Sequence, residues 1–121
     1  MIDAKKFVAE VFATVDSKNV EQFVSHLTDG AIFVFGNAEP ARGHAQIAEY
    51  VGGFLSSLKQ TTHVINDVWH VGDAIITRLE VTYRRLDDAE RSYPSVTIWK
   101  MRDGRISDYR IFIDNSTLFS G

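Results

Sequence analysis

The sequence predicts an α+β protein, with helices first and antiparallel strands after, the helices lying on one face of a curved sheet. Three observations predict it. Apolar residues recur at helical spacing through the first half of the chain. Apolar and polar residues alternate through the second half. Gly and Asp pairs divide the alternating runs, as hairpin turns require.

The elements follow in order. Phe7, Val8, Val11, Phe12 and Val15 form one helical stripe, and Asp3 stands where an N-cap belongs. Asp16-Ser17-Lys18-Asn19 breaks that helix. Asn19 caps a second helix, with Gln22 completing a loose capping box and Val20, Phe23, Val24 and Leu27 forming its stripe. Thr28-Asp29-Gly30 ends it. Residues 31–35 make a short apolar strand, and residues 36–43 a loop. A third helix carries Ile47, Tyr50, Val51, Phe54, Leu55 and Leu58. Gly52-Gly53 within it costs about 1 kcal/mol per Gly against Ala, so the helix breaks there or packs its backbone closely. Four strands follow at 62–71, 74–86, 92–102 and 105–115. Gly72-Asp73 joins the first two and Asp103-Gly104 the last two.

The chain of 121 residues is expected to be a single domain, 1–121, with room for one core and one pocket. Eight Phe, four Tyr and two Trp suggest an apolar interior large enough to line a cavity. The net charge of -3, with no basic run, argues against nucleic acid as a partner. There is no Cys, which excludes disulfides and thiolate chemistry and is compatible with the cytoplasm. The start of the chain lacks a signal-peptide pattern, and no run is apolar enough to span a membrane. A cytoplasmic protein with no membrane partner is expected.

The strand at 74–86 alternates sharply. Ile75, Thr77, Leu79, Val81 and Tyr83 point one way, and Arg78 and Glu80 the other. Residues two apart on a strand share a face at a separation of roughly 7 Å, so Arg78 and Glu80 form a pair. Either that face is wet, or it looks into a pocket and the pair is a reaction site. A buried pair costs several kcal/mol in desolvation and needs further hydrogen-bond partners. Asp114 shares a face with Arg110 and Phe112, and is either a turn residue or a base beside an aromatic wall. Asn37 is either a turn residue or an amide that holds water or a substrate oxygen. None of His26, His44, His63 and His70 has metal-ligand spacing. His70 shares a predicted face with Val64 and Val68 and is a candidate cavity residue. Phosphate loops and a Gly-x-Ser-x-Gly elbow are absent. A cofactor-free, metal-free site of carboxylates, one Arg and neutral polar groups is what remains.

The order of elements resembles the nuclear transport factor 2-like, or cystatin-like, superfamily over nearly the whole chain. Val15-Asp16-Ser17-Lys18-Asn19-Val20, Ala41-Arg42-Gly43-His44 and the hairpin Trp99-Lys100-Met101-Arg102-Asp103-Gly104-Arg105-Ile106 carry the resemblance. Within it the chain is similar to SnoaL-like polyketide cyclases and limonene-epoxide hydrolases. The resemblance implies a cone-shaped sheet wrapped around a deep apolar pocket closed by the helices. Arg78-Leu79-Glu80 matches the hydrolases' Arg-x-Asp, with Glu in place of Asp. Phe35-Gly36-Asn37 stands where they have Tyr-x-Asn, and Asp114 where they have a second Asp. These matches imply that Asp114 and Asn37 hold an attacking water, that Glu80 protonates the substrate, and that Arg78 lies between the carboxylates. Phe35, Phe54, His70 and Phe112 are the expected ligand contacts.

Two readings result. The first is a cofactor-independent acid/base enzyme on a small hydrophobic molecule, with epoxide hydrolysis ahead of cyclisation or isomerisation. The second is a non-catalytic module of the same fold that binds a small molecule or a protein. By analogy with relatives, a homodimer is expected through the outer sheet face, with Leu79, Val81, Tyr83 and Ile98 supplying it.

Overall fold

A computed structural model describes residues 2–120. Helix α1 (Ala4–Asp16) begins where Asp3 accepts a hydrogen bond from the Lys6 amide at 3.2 Å. Helix α2 (Val20–Ser25) is capped by Asn19, which accepts from the Gln22 amide at 3.1 Å. Such caps each contribute about 1 kcal/mol by satisfying amides that have no partner inside the helix. Strand β1 (Leu27–Phe35) starts earlier than the residue types suggest. Thr28, Asp29 and Gly30 lie inside it, at an irregularity between Leu27 and Ile32. The short β2 (Ala41–Arg42) leads into α3 (Gly43–Ser56). That helix runs through Gly52-Gly53 unbroken, and a Cβ on Gly52 would sit 3.9 Å from Val20 of α2.

Four long strands complete the chain: β3 (Leu58–Val71), β4 (Ala74–Arg85), β5 (Glu90–Arg102) and β6 (Arg105–Ile113). Asp103 and Gly104 both adopt positive φ, as a tight hairpin turn demands. The sheet is curved and six-stranded, in the order β2-β1-β6-β5-β4-β3. All neighbours are antiparallel except β1 and β6, which run parallel. The three helices cover one face of the sheet.

The core forms between that face and the helices. Phe7 and Phe12 of α1 meet Trp99 edge-on, and Trp99 in turn leans on Tyr109. Phe23, Phe33 and Tyr109 continue the aromatic chain. Burying each large apolar side chain contributes about 1.5–3 kcal/mol, so this interior dominates the stability of the fold.

The apolar set of β4 faces inward. Ile75, Thr77, Leu79, Val81 and Tyr83 are all buried, while Arg78 and Glu80 are exposed on the outer face. This corrects the expectation that Leu79, Val81 and Tyr83 form an outer dimer surface. Of that group only Ile98 is on the outside. The cause is elementary: turning Arg78 and Glu80 inward would strand two charges and expose five mostly apolar side chains.

Candidate functional site

A cavity lies between the inner sheet face and the helices. Its walls are Phe33 and Phe35 of β1, Tyr50 and Phe54 of α3, Leu79, Val81 and Tyr83 of β4, and Tyr109 and Ile111 of β6. About 50 Å³ of it admits the centre of a water-sized sphere, inside some 560 Å³ of atom-free space that includes the mouth. A single water needs only about 10–15 Å³ on the same measure, so the cavity accommodates more than one. Its polar groups are few: His63 and Thr61 from β3, Ser95 and Thr97 from β5, and the phenols of Tyr50, Tyr83 and Tyr109.

His63 is the one imidazole on the wall, and it is held on three sides. Its Nδ1 lies 2.5 Å from Oδ1 of Asp16, the last residue of α1. Its backbone N–H donates to Oδ2 of the same carboxylate at 3.0 Å. Its ring stacks on Phe12 at 4.5 Å with the planes 13° apart. Asp16 is an acceptor while ionised, so Nδ1 carries the proton and neutral His63 presents Nε2 as an acceptor. Among the described residues nothing hydrogen-bonds Nε2. A carboxylate at a helix C-terminus faces the negative end of the dipole, and the two hydrogen bonds from His63 offset that. The His63 side chain is 13% exposed and that of Asp16 28%, so their interaction is partly shielded from water.

Burial pushes the Tyr83 phenol well above its usual range, and the neighbouring Tyr93 and Tyr50 add to the rise. Burial does the same for Tyr109 and, less strongly, for Tyr50. All three stay protonated donors at neutral pH.

The four residues expected to carry catalysis do not converge. The Arg78 guanidinium pairs outside the sheet with Asp67, Nε to Oδ2 at 2.8 Å, with both side chains about half exposed. Glu80 is exposed on the same face and borders an outer groove with Arg78 and Phe112. The expectation that Arg78 and Glu80 line the pocket is therefore corrected, and so is the placement of Phe112, which is 54% exposed. Asn37 and Asp114 do come together, in a shallow depression that shares Phe35, Tyr50 and Phe54 with the cavity. Both are exposed. Hydrogen bonds from the Ser116 side chain and backbone hold the Asp114 carboxyl below the usual carboxylate range, which suits a turn and makes a weak base. Phe35 and Phe54 line the cavity, 5.0 Å apart edge to face.

His70 is also displaced from its expected position. A register shift between Ile65 and Asp67 reverses the alternation of β3, so Val64 points out and Val68 packs on the core. His70 ends exposed near the strand's end and lines none of the described pockets, whereas His63 faces in. Asp16 and His63 are distant in sequence, and Asp16 reads there as a helix breaker. The strand parity of Thr61, His63 and Ile65 was the one available signal. Among the described residues no three His, Asp or Glu side chains are grouped to hold a metal ion, and no helix is long and apolar enough to cross a membrane.

Solved structures share this architecture. An NTF2-like protein of unknown function from Burkholderia pseudomallei superposes with a TM-score of 0.87 at 10% identity, over 98% of this chain and 95% of its own. A putative SnoaL-like polyketide cyclase from Shewanella putrefaciens gives 0.82 at 12% identity, over 98% and 94%. An LEH-like epoxide hydrolase from M. tuberculosis gives 0.80 at 16% identity, over 96% and 86%. At these identities the likeness establishes the fold. No curated protein matches in sequence. Residues 8–109 match the SnoaL-like domain, which spans most of the chain and every named cavity residue except Ile111, and the protein thus belongs to the SnoaL-like family.

Proposed function

We propose that this protein is a cofactor-independent acid/base enzyme acting on a small hydrophobic molecule, and that its chemistry is proton transfer of the isomerase or cyclase type. The observation that supports this reading is the His63–Asp16 couple on the wall of an otherwise mostly apolar cavity. Nε2 of His63 takes a proton from an acidic C–H beside a carbonyl. The carboxylate of Asp16 stabilises the imidazolium that forms and fixes the ring's orientation. The negative charge moves to the substrate oxygen, where the neutral Tyr83 phenol is a suitable donor. His63 then returns the proton to another atom of the substrate. One base suffices for this.

Epoxide hydrolysis asks for more. It needs a positioned water and a separate acid, and Glu80, the residue expected to supply the acid, faces outward together with Arg78. Asn37 and Asp114 flank the shared aromatic rings and fit better as rim residues that a ligand passes. Incubation with enolisable ketones in D2O, followed by NMR, tests the proposal. Deuterium enters the α-carbon with wild type and not with His63→Gln. Equal exchange by both proteins refutes it.

For assembly we propose a homodimer through the outer face of β3 to β6. Exposed Trp69 and Phe112, with Ile76, Val96 and Ile98 between them, support it. Light scattering during size exclusion tests it, and a monomer at all concentrations refutes it.

A further inference from the structure

Gly52-Gly53 lies in the interior of α3, where each Gly disfavours the folded chain about fivefold relative to Ala. Packing requires neither. A Cβ at Gly53 would meet nothing within 4 Å, and one at Gly52 would make an ordinary contact with Val20 at 3.9 Å. Neither residue has the positive φ that favours glycine. Serine loosens the same turn again. Ser56 Oγ donates to the carbonyl of Gly52 at 2.7 Å and to that of Gly53 at 3.1 Å, a pattern that bends helices.

This weak turn sits in the cavity wall. Tyr50 and Val51 precede the pair, Phe54 and Leu55 follow it, and all four line the cavity. Tyr50 and Phe54 also line the shallow depression beside Asn37 and Asp114, and both rings meet Phe35 edge-on, at 6.4 and 5.0 Å. These three rings form the partition between the cavity and the depression. The opposite wall is sheet, held by ladders of backbone hydrogen bonds from β4 to β6. With the partition closed the cavity is small. Its 50 Å³ is about a third of the roughly 150 Å³ that takes one benzene in a protein interior. A ring compound enters only if a wall gives way, and the glycine turn of α3 is where the wall is weakest.

We propose that Gly52-Gly53 is a hinge at which α3 bends, swinging Tyr50 and Phe54 away from Phe35, so that the cavity widens and opens to the depression. This rests on the cavity being the ligand site named above, though not on the proton transfer assigned to His63. The ring-binding form is then a minor conformation, and its scarcity weakens the apparent affinity in proportion. Alanine favours the straight helix and makes that form scarcer. It should therefore stabilise the fold and weaken ring binding at once, whereas glycines that are merely tolerated give the first effect without the second.

The test is NMR titration with para-cresol and with xenon, read at the Leu79 and Val81 methyls on the cavity wall. Xenon is a single atom that the closed cavity can hold. Gly52→Ala and Gly53→Ala should each raise Tm by roughly 3–6 °C. Each should weaken para-cresol binding by about 3- to 5-fold and leave xenon unchanged. Ala45→Gly, at an exposed site two turns earlier in α3, should lower Tm by a similar amount and leave para-cresol unchanged. Para-cresol bound by both Ala variants as tightly as by wild type, or shifted as much by Ala45→Gly, overturns the hinge. A lower Tm in the Ala variants also overturns it, because the glycines then serve packing. Xenon entry without para-cresol binding by wild type does the same, because the wall then does not yield. Absence of both probes overturns it together with the cavity as ligand site. Failure of the His63 chemistry alone leaves these titrations intact, because they are read without turnover.

Discussion

Replacing Asp16 with Asn changes one atom and reverses the logic of the couple. The carboxylate accepts twice from His63, through Oδ1 from the ring and Oδ2 from the backbone N–H. An amide has one acceptor and one donor end. The backbone N–H is an obligatory donor and claims the amide oxygen. The NH2 end then faces Nδ1 and donates to it, so Nδ1 must be unprotonated. The neutral ring consequently carries its proton on Nε2 and ceases to be a base at the cavity. A charge-assisted bond of about 1.5–3 kcal/mol becomes a neutral one of about 0.5–1.5, which predicts a stability loss of about 1–2 kcal/mol. In a domain of this size that lowers Tm by roughly 3–10 °C. Activity should fall much further than stability, by about 10³-fold or more, because a tautomer error disables the base rather than weakening it. Thermal melts, α-carbon deuterium exchange and long-range 15N–1H spectra of His63 read the three effects. An Asp16→Asn protein with wild-type exchange and the Nδ1–H tautomer retained refutes the reasoning.

Three further outcomes follow from the same structure. Tyr83 and Tyr109 have folded pKa values raised above the ordinary 10.0, so the unfolded chain loses their protons first. Their contribution is present below pH 10 and declines above it, by about 1.4 kcal/mol per pH unit for each, and Tyr83→Phe should flatten the alkaline limb of a pH–stability curve. Arg78→Met should change urea-measured stability by no more than about 1 kcal/mol and leave ligand binding intact, because its pair with Asp67 is half exposed on the outer face. A tenfold loss of binding would instead return Arg78 to the site. Trp99→Ala, at a fully buried ring in contact with Phe7, Phe12 and Tyr109, should cost about 3–5 kcal/mol in denaturant unfolding, and a cost below 1 kcal/mol would contradict the described core.

The helices and hairpins were legible because they are set by neighbours in sequence. Asp3 and Asn19 cap where their spacing says, and Gly72-Asp73 and Asp103-Gly104 turn where they stand. The alternation of β4 was equally plain. Which parity faces inward is a separate matter, and it is decided by burial: the set with Ile75, Leu79 and Val81 outweighs the set with Arg78 and Glu80. The resemblance to epoxide hydrolases pulled the expectation the other way, by matching residue types without matching the face they occupy. On β3 a single irregularity near Asn66 brought His63 onto the same side as Val68 and His70, and His70 is exposed because it lies near the strand's end. No local pattern announces such a bulge. The partnership of His63 with Asp16 depends on α1 docking against β3, which no spacing encodes. The parallel register of β1 and β6 is likewise a matter of the whole sheet.

That parallel pair has a consequence for how the molecule assembles. Leu27 is joined to Ile106, and Phe33 to Tyr109, so β6 is the seam between the early strand β1 and the meander β3-β4-β5. Until β6 arrives, two partly made sheets each carry an open edge at the place where they will meet, and open edges invite pairing with other chains. Closing so long a loop before its contacts reward it slows the search for the native state. A nascent chain halted before β6 is therefore the species in which this protein is most exposed to aggregation, and the Asp103-Gly104 turn, by delivering β6 back onto β5, ends that exposure.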